Sequence, residues 1–150
     1  MNARRVIRGE VVSRLQAAPV TLVAPASVFD SRVWTFEKQL LPAINVATTV
    51  DVIDVDEQVT GRDTHRLALF VMVHAAMVDG VAAGLDDVCD EVFAALFPGG
   101  EEDLGGLVQE VDLVSIDLEL SAEEDEEVAQ MTIEFSVLYA TAEYGTELVF

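Results

Sequence analysis

The stretch HRLALFVMVHAA, residues 65–76, decides the fold, because apolar residues recur along it with the two-residue period of an extended chain. One side of such a chain carries Leu67, Leu69, Val71 and Val73, and the other carries Phe70 and Met72. This pattern predicts a β-strand with two apolar faces. Both faces must then be covered by other parts of the protein.

Hydrophobic spacing on either side of this strand predicts five further elements. They are a helix over residues 2–17, a strand over 43–55, a helix over 81–96, and strands over 109–120 and 130–141. The alternation slips at Val114, as a β-bulge would produce. Residues 20–42 contain Pro25 and Pro42 and are expected to be irregular. The first two strands and the last two can each form a hairpin, whereas a helix crosses between the second strand and the third.

We therefore expect an α+β fold in a single domain over residues 1–150. Its sheet would have four mostly antiparallel strands, with two main helices packed on one face. The other face would be partly apolar through Phe70, Met72, Val114 and Leu138. The predicted elements leave nothing to cover that face. A neighbouring copy is the simplest cover, so the pattern predicts an oligomer.

The charge distribution narrows the classes of function. The chain has 28 acidic and 8 basic residues, a net charge of −20, yet 51% of its residues are hydrophobic. That apolar content excludes disorder for most of the chain. All eight basic residues lie within residues 1–66, and residues 67–150 contain no Lys or Arg. Nucleic-acid binding is disfavoured, because it requires positive side chains to neutralise phosphates.

The same acidity predicts dependence on salt. Self-repulsion opposes the compact state at low ionic strength, and in molar salt the Debye length falls to about 3 Å, which screens most of it. One Lys beside 28 acidic residues resembles the surface of halophilic proteins. We expect greater stability in molar KCl than in dilute buffer.

Cysteine content and terminal sequence suggest an intracellular, soluble protein. Cys89 is the only cysteine, so an internal disulfide is impossible. The N-terminal segment lacks the apolar core of a signal peptide. The longest uncharged stretch is residues 15–29, shorter than the roughly 20 residues that a membrane helix needs. We expect no membrane association.

Catalytic motifs do not occur in the sequence. The Walker A, HExxH, GxGxxG and GxSxG patterns are missing. Cys89 lies between Asp87 and Asp90, which should raise its pKa and weaken it as a nucleophile. His74 is expected to be structural, and the acidic run 123–127 is expected to be a solvated turn rather than a metal site. We therefore predict a protein that is not an enzyme and has no cofactor or metal.

Two cations invite a functional interpretation. Arg32 and Arg66 are among the few basic residues of an acidic chain, and each is expected to have carboxylate partners. An ion pair within the chain and a bridge to a neighbouring subunit fit the sequence equally well.

Several segments, taken in order, resemble those of a known family. They are Val28–Val33, Leu41–Ile44, Leu85–Asp87, Leu104–Val108 and Ile133–Tyr139. With an Arg-rich N-terminal helix and Arg66 at the start of an apolar strand, they make almost the whole chain resemble a tail terminator of tailed viruses, of the minor tail protein U family. The acidic charge, the scarcity of Lys and the acidic turn at 121–128 depart from that family's pattern.

The resemblance implies a structural role in the virion. Tail terminators form a hexameric ring at the head-proximal end of the tail tube, stop tube polymerisation and contact the head connector. It implies a ring-forming subunit whose partners are further copies of itself, the tail tube protein and the connector or neck protein, with DNA only as passing cargo. It places the protein in the tail or neck region of a particle assembled in the host cytoplasm.

The expected contact residues fall into two groups. The subunit interface is expected to include Arg32, Arg66, Phe70 and Met72. The loops facing partners or the lumen are expected to include Asp56, Glu57, Asp63, Glu123, Glu124, Asp125, Glu126 and Glu127. Three alternatives stay open: a neck or head-completion ring protein, an acidic DNA mimic, and a small enzyme with a pocket around His65 or His74.

Overall fold

The computed structural model describes residues 1–17, 27–31, 42–53, 61–123 and 126–150. Its elements are α1 (Ala3–Ala17), β1 (Val28–Asp30), β2 (Ala43–Ile53), β3 (Arg62–Ala76), α2 (Val81–Leu96), a 3₁₀ turn (Pro98–Gly100), β4 (Glu110–Glu123) and β5 (Glu126–Ala142). Among the described residues, no helix is both long and apolar enough to span a membrane.

The described residues form a sheet of five strands rather than the predicted four, and it is mixed rather than mostly antiparallel. Its strand order is β1-β2-β3-β5-β4. The extra strand, β1, pairs in parallel with residues Ile44 to Val46 of β2. β1 has only three residues and lies in the segment that was expected to be irregular. Three residues are too few to show a two-residue period, so only the partner strand defines this element.

The central strand β3 behaves as its sequence predicts. It pairs antiparallel with β2 on one side and with β5 on the other. Leu67, Leu69, Val71 and Val73 are all buried on one face. They join one hydrophobic core that also contains Met131, Ile133, Phe135 and Val137 of β5. We call this side of the sheet the helix face, because the core residues of α1 and α2 pack on it, and the opposite side the open face.

Two bulges shift the alternation of the strands. The register slips between Leu113 and Ser115 of β4, which confirms the bulge predicted at Val114. A second slip lies between Thr48 and Asp51 of β2. The sequence gives no sign of it, because Val50 and Val52 continue the apolar alternation. This slip places Asp51 on the helix face and moves Val52 to the open face, opposite Arg66.

The two helices contribute regular apolar stripes to the core. Ile7, Val11 and Leu15 of α1 are buried, as are Leu85, Val88, Val92 and Leu96 of α2. Arg14 donates to Glu10 Oε1 at 2.8 Å, an i,i+4 contact along the surface of α1. Its Nη1 also donates to the carbonyl of Leu96 at 3.0 Å, and this bond joins α1 to the end of α2.

Candidate assembly surface

The outermost strand β4 carries the most conspicuous surface of the molecule. Val111 at its start is buried, but farther along the strand large apolar residues are exposed. These residues are Leu113, Val114, Ile116, Leu118 and Leu120. Soluble monomers rarely show a contiguous apolar patch of this kind unless it binds a partner.

Three of these residues continue the apolar side of the helix face onto β4, where the helices no longer cover it. Ile116, Leu118 and Leu120 stand opposite Ile133, Met131 and Ala129 of β5, so they share the helix face. The β5 residues are buried, whereas the β4 residues are exposed by 44%, 40% and 53%. The helices therefore cover the sheet as far as β5 and leave this part of β4 bare. We call these three side chains the β4 apolar row.

Acidic residues occupy the other side of the same strand. Asp117 and Glu119 stand opposite Thr132 and Gln130 of β5 on the open face, and both are exposed. β4 therefore has an apolar side and an acidic side, and it contains no basic residue. Removing carboxylates from water is costly, so the acidic side stays solvated. Covering the apolar side is favourable because it removes apolar surface from water.

Three of the four residues predicted at a subunit interface lie on the open face, along β3. Arg66 is exposed, and Phe70 and Met72 are half-buried. Phe70 stands between Ala47 and Glu134, and Met72 between Asn45 and Thr132. Neither of the two described helices packs on this face. The fourth predicted residue, Arg32, lies outside the described residues.

The residues predicted in exposed loops are placed differently. Asp63 lies in β3 rather than in a turn, is buried, and accepts a hydrogen bond from the Tyr144 backbone N–H at 2.9 Å. Glu123 ends β4, and Glu126 and Glu127 begin β5, so strand pairing runs into the acidic segment that was expected to be a turn. The remaining four, Asp56, Glu57, Glu124 and Asp125, lie outside the described residues.

A polar cluster on the helix face was not foreseen. His65 Nδ1 lies 3.0 Å from Asp51 Oδ1, and its Nε2 lies 2.9 Å from Thr141 Oγ1. The Tyr139 hydroxyl donates to Asp51 Oδ2, and Arg4 Nε lies 3.8 Å from the same oxygen. The cluster joins β2, β3, β5 and α1, which are far apart in sequence.

The order Thr141–His65–Asp51 has the connectivity of a nucleophile, a base and an orienting acid. A nucleophile must nevertheless be reachable by its substrate, and Thr141 is only 1% exposed. Burial and the hydrogen bond to Asp51 also raise the pKa of Tyr139 well above its ordinary value. These features suit a structural network, in which each buried polar group has a partner.

The other titratable candidates show no sign of activation. Burial, with the nearby carboxylates of Asp90 and Asp86, raises the pKa of the Cys89 thiol, so the predicted direction is confirmed and burial is its main cause. Burial lowers the pKa of His74. A thiol with a raised pKa is a poor nucleophile at neutral pH.

A surface cleft of about 430 Å³ is lined mainly by acidic residues, among them Glu101, Glu102, Asp103 and Glu110. Glu101 Oε1 lies 3.8 Å from Arg14 Nη2. Within the described part of the chain, no group of three His, Cys, Asp or Glu side chains has an arrangement that could hold a metal ion.

The fold belongs to the α+β class, with both described helices on one face of a mixed sheet and a long bare strand at its edge. A chain in the solved structure of the virion of a native gene transfer agent (GTA) particle is similar to it, with a TM-score of 0.59 and 13% sequence identity. The similarity covers 90% of this chain and 95% of that chain. At this identity it shows a shared fold. No family model and no curated protein matches the chain.

Proposed function

We propose that this chain is a structural subunit of a phage-like particle and works by assembling with other subunits. The observation that carries the proposal is the match in fold to a chain of a gene transfer agent virion, which extends over nearly the full length of both chains. A domain inserted into an unrelated protein would match only part of its neighbour.

The surface chemistry supports an assembly role. The β4 apolar row is exposed on the isolated chain and lies on a long edge strand, where unpaired backbone groups also favour pairing with another chain. The polar cluster around Asp51 is only partly exposed, and its buried member Thr141 is out of reach of a substrate, which suits a structural role. The exposed apolar surface therefore suits contact with a partner protein better than binding of a substrate.

The finer role follows from the resemblance to tail terminators. In this proposal six copies form a ring at the head-proximal end of the tail tube, stop its polymerisation and contact the head connector or neck protein. Six copies would together carry a charge of −120, from −20 each. An acidic lumen would repel phosphates and let DNA pass without binding.

Addition of the purified chain to the tail tube protein of the same particle, during polymerisation, tests this role. We expect tube lengths in electron micrographs to fall as the chain is added, with a ring at one end of each tube. Leu118→Lys should abolish this effect, and Val78→Lys should preserve it, because Val78 is also apolar and exposed but lies outside the sheet.

Other outcomes refute parts of the proposal. Binding to the portal side of the head instead of the tube would make the protein a neck or head-completion ring and refute the terminator role. Binding to a basic DNA-binding enzyme, with no affinity for either virion component, would favour a DNA mimic and refute the structural role altogether.

A further inference from the structure

The two edges of the sheet differ in a way that suits head-to-tail pairing. At one edge, β4 pairs with β5 and has no other partner strand among the described residues. Within the described part of the chain, no strand pairs with its outer backbone groups, and its apolar row is exposed. Such an edge is a template for another strand unless charge, proline or a covering segment protects it. The carboxylates of Asp117 and Glu119 lie on its open-face side and leave the apolar row unprotected.

The opposite edge is also incomplete. β1 pairs only with Ile44 to Val46, so within the described chain the outer edge of β2 from residue 47 to residue 53 has no partner strand. Val50, Val52 and Ile53 are exposed there. Ile53 stands opposite His65 on the helix face, the same face that carries the β4 apolar row. Each edge of the sheet thus ends in exposed apolar side chains.

Charge favours unlike edges over like edges. β4 carries five acidic residues and no basic one, a charge of −5. The elements at the other edge, α1, β1 and β2, carry four arginines against Glu10, Asp30 and Asp51, a charge of +1. Pairing two β4 strands would bring ten carboxylates together, whereas pairing β4 with β2 places five carboxylates beside elements whose charges sum to +1. Like charges brought together in this way oppose association.

We infer that β4 of one copy docks along residues 47–53 of β2 in the next copy, which extends the sheet from subunit to subunit. In this arrangement the β4 apolar row packs beside Ile53 on the helix face. The contact is heterologous, so it closes into a ring when the rotation between copies is a whole fraction of a turn. This inference rests on the proposed assembly role and specifies the surface that performs it.

Cysteine cross-linking tests the pairing. Ile53→Cys and Leu118→Cys are combined in one chain with Cys89→Ala, which removes the native thiol, and the protein is treated with a short bismaleimide in molar KCl with tail tube protein present. We expect a ladder of covalent multimers on a denaturing gel. Either single variant, or Val78→Cys combined with Leu118→Cys, should give no ladder. Two further chains, with Ile116→Cys or Leu120→Cys in place of Leu118→Cys, test whether the strands pair in a different register.

The outcomes separate this inference from the proposed function. Dimers from Leu118→Cys alone would show β4–β4 pairing and overturn the inference. A ring seen in micrographs without a ladder from any of the three β4 positions would overturn the inference and leave the assembly role intact. A ladder from a protein that does not cap tubes would support the inference and refute the terminator role.

Hydrogen exchange on the unmodified chain gives a second measurement that does not depend on the folding of variants. Amides of β4 and of residues 47–53 should become protected on assembly to a similar extent. Protection of β4 alone would contradict the pairing.

Discussion

The Tyr139→Phe substitution tests whether the polar cluster stabilises the fold. It removes one hydroxyl and keeps the aromatic ring, which stacks on His65 with a centroid distance of 4.6 Å and an interplanar angle of 14°. The hydroxyl donates to Asp51 Oδ2. The Asp51 side chain is only 13% exposed, so water can replace the lost donor only in part.

The expected loss follows from that contact. A hydrogen bond to a charged group contributes about 1.5–3 kcal/mol to stability, and the partial exposure of Asp51 suggests a loss of about 2 kcal/mol for this variant. For a chain of this size, 1 kcal/mol shifts the melting temperature by about 2–4 °C, so Tm should fall by roughly 4–8 °C.

The matched control is Tyr144→Phe, because Tyr144 is the only other tyrosine and is 91% exposed. It should change the free energy of unfolding by no more than about 0.5 kcal/mol. Urea denaturation followed by circular dichroism measures the free energy of unfolding of the native chain and of both variants. The protein concentration is chosen so that all three have the same oligomeric state. Equal midpoints for the two variants would show that the Tyr139 contact contributes nothing, and the structural reading of the cluster would be wrong.

Three further predictions concern pH, packing and salt. Because the pKa of Tyr139 is raised, the folded chain retains a proton that the unfolded chain releases near pH 10, so the free energy of unfolding should fall above about pH 10. Urea midpoints measured across that range should fall less steeply for Tyr139→Phe than for the native chain. An equal slope would count against the prediction. Phe135→Ala should lower the free energy of unfolding, measured by urea denaturation, by about 3–5 kcal/mol because Phe135 is fully buried. Phe150→Ala should change it little because Phe150 is exposed. Similar losses for both variants would contradict the packing described. The net charge of −20 predicts a higher Tm in molar KCl than in dilute buffer, and equal values in a calorimetric comparison would argue against salt dependence.

Local periodicity predicted the long elements because each buries a regular stripe. β3 and both helices have apolar residues at the spacing of their own secondary structure, and the structure confirms them. β1 could not be predicted in this way. Its three residues form a strand only because Ile44 to Val46 offer a partner edge, and that pairing is not encoded within the segment itself.

The polar cluster escaped prediction for a related reason. The alternation of the sequence assigns Asp51 to the polar side of the strand, and the bulge after Thr48 moves it to the helix face. Its partners Tyr139 and His65 lie 88 and 14 residues away, so no spacing motif joins them. Asp63 was misplaced because a polar sequence beside Gly61 resembles a turn, although its carboxylate accepts a hydrogen bond inside the fold.

The candidate assembly surface was only partly predictable. The sequence indicated that a sheet with two apolar faces needs a neighbour, and it pointed to Phe70 and Met72 on the open face. It did not indicate β4, because the exposure of Leu118 depends on where the helices stop covering the helix face. That boundary is a property of the packed structure and leaves no local pattern in the chain.

The molar mass of the chain in solution tests the assembly account most directly. Size exclusion with light scattering in molar KCl, with and without the tail tube protein, should reveal a closed oligomer in at least one condition, at about 97 kDa for six copies of the 16.2 kDa chain. The Leu118→Lys variant should remain at the monomer mass in both. A native chain that also elutes at 16.2 kDa in both conditions would contradict the account.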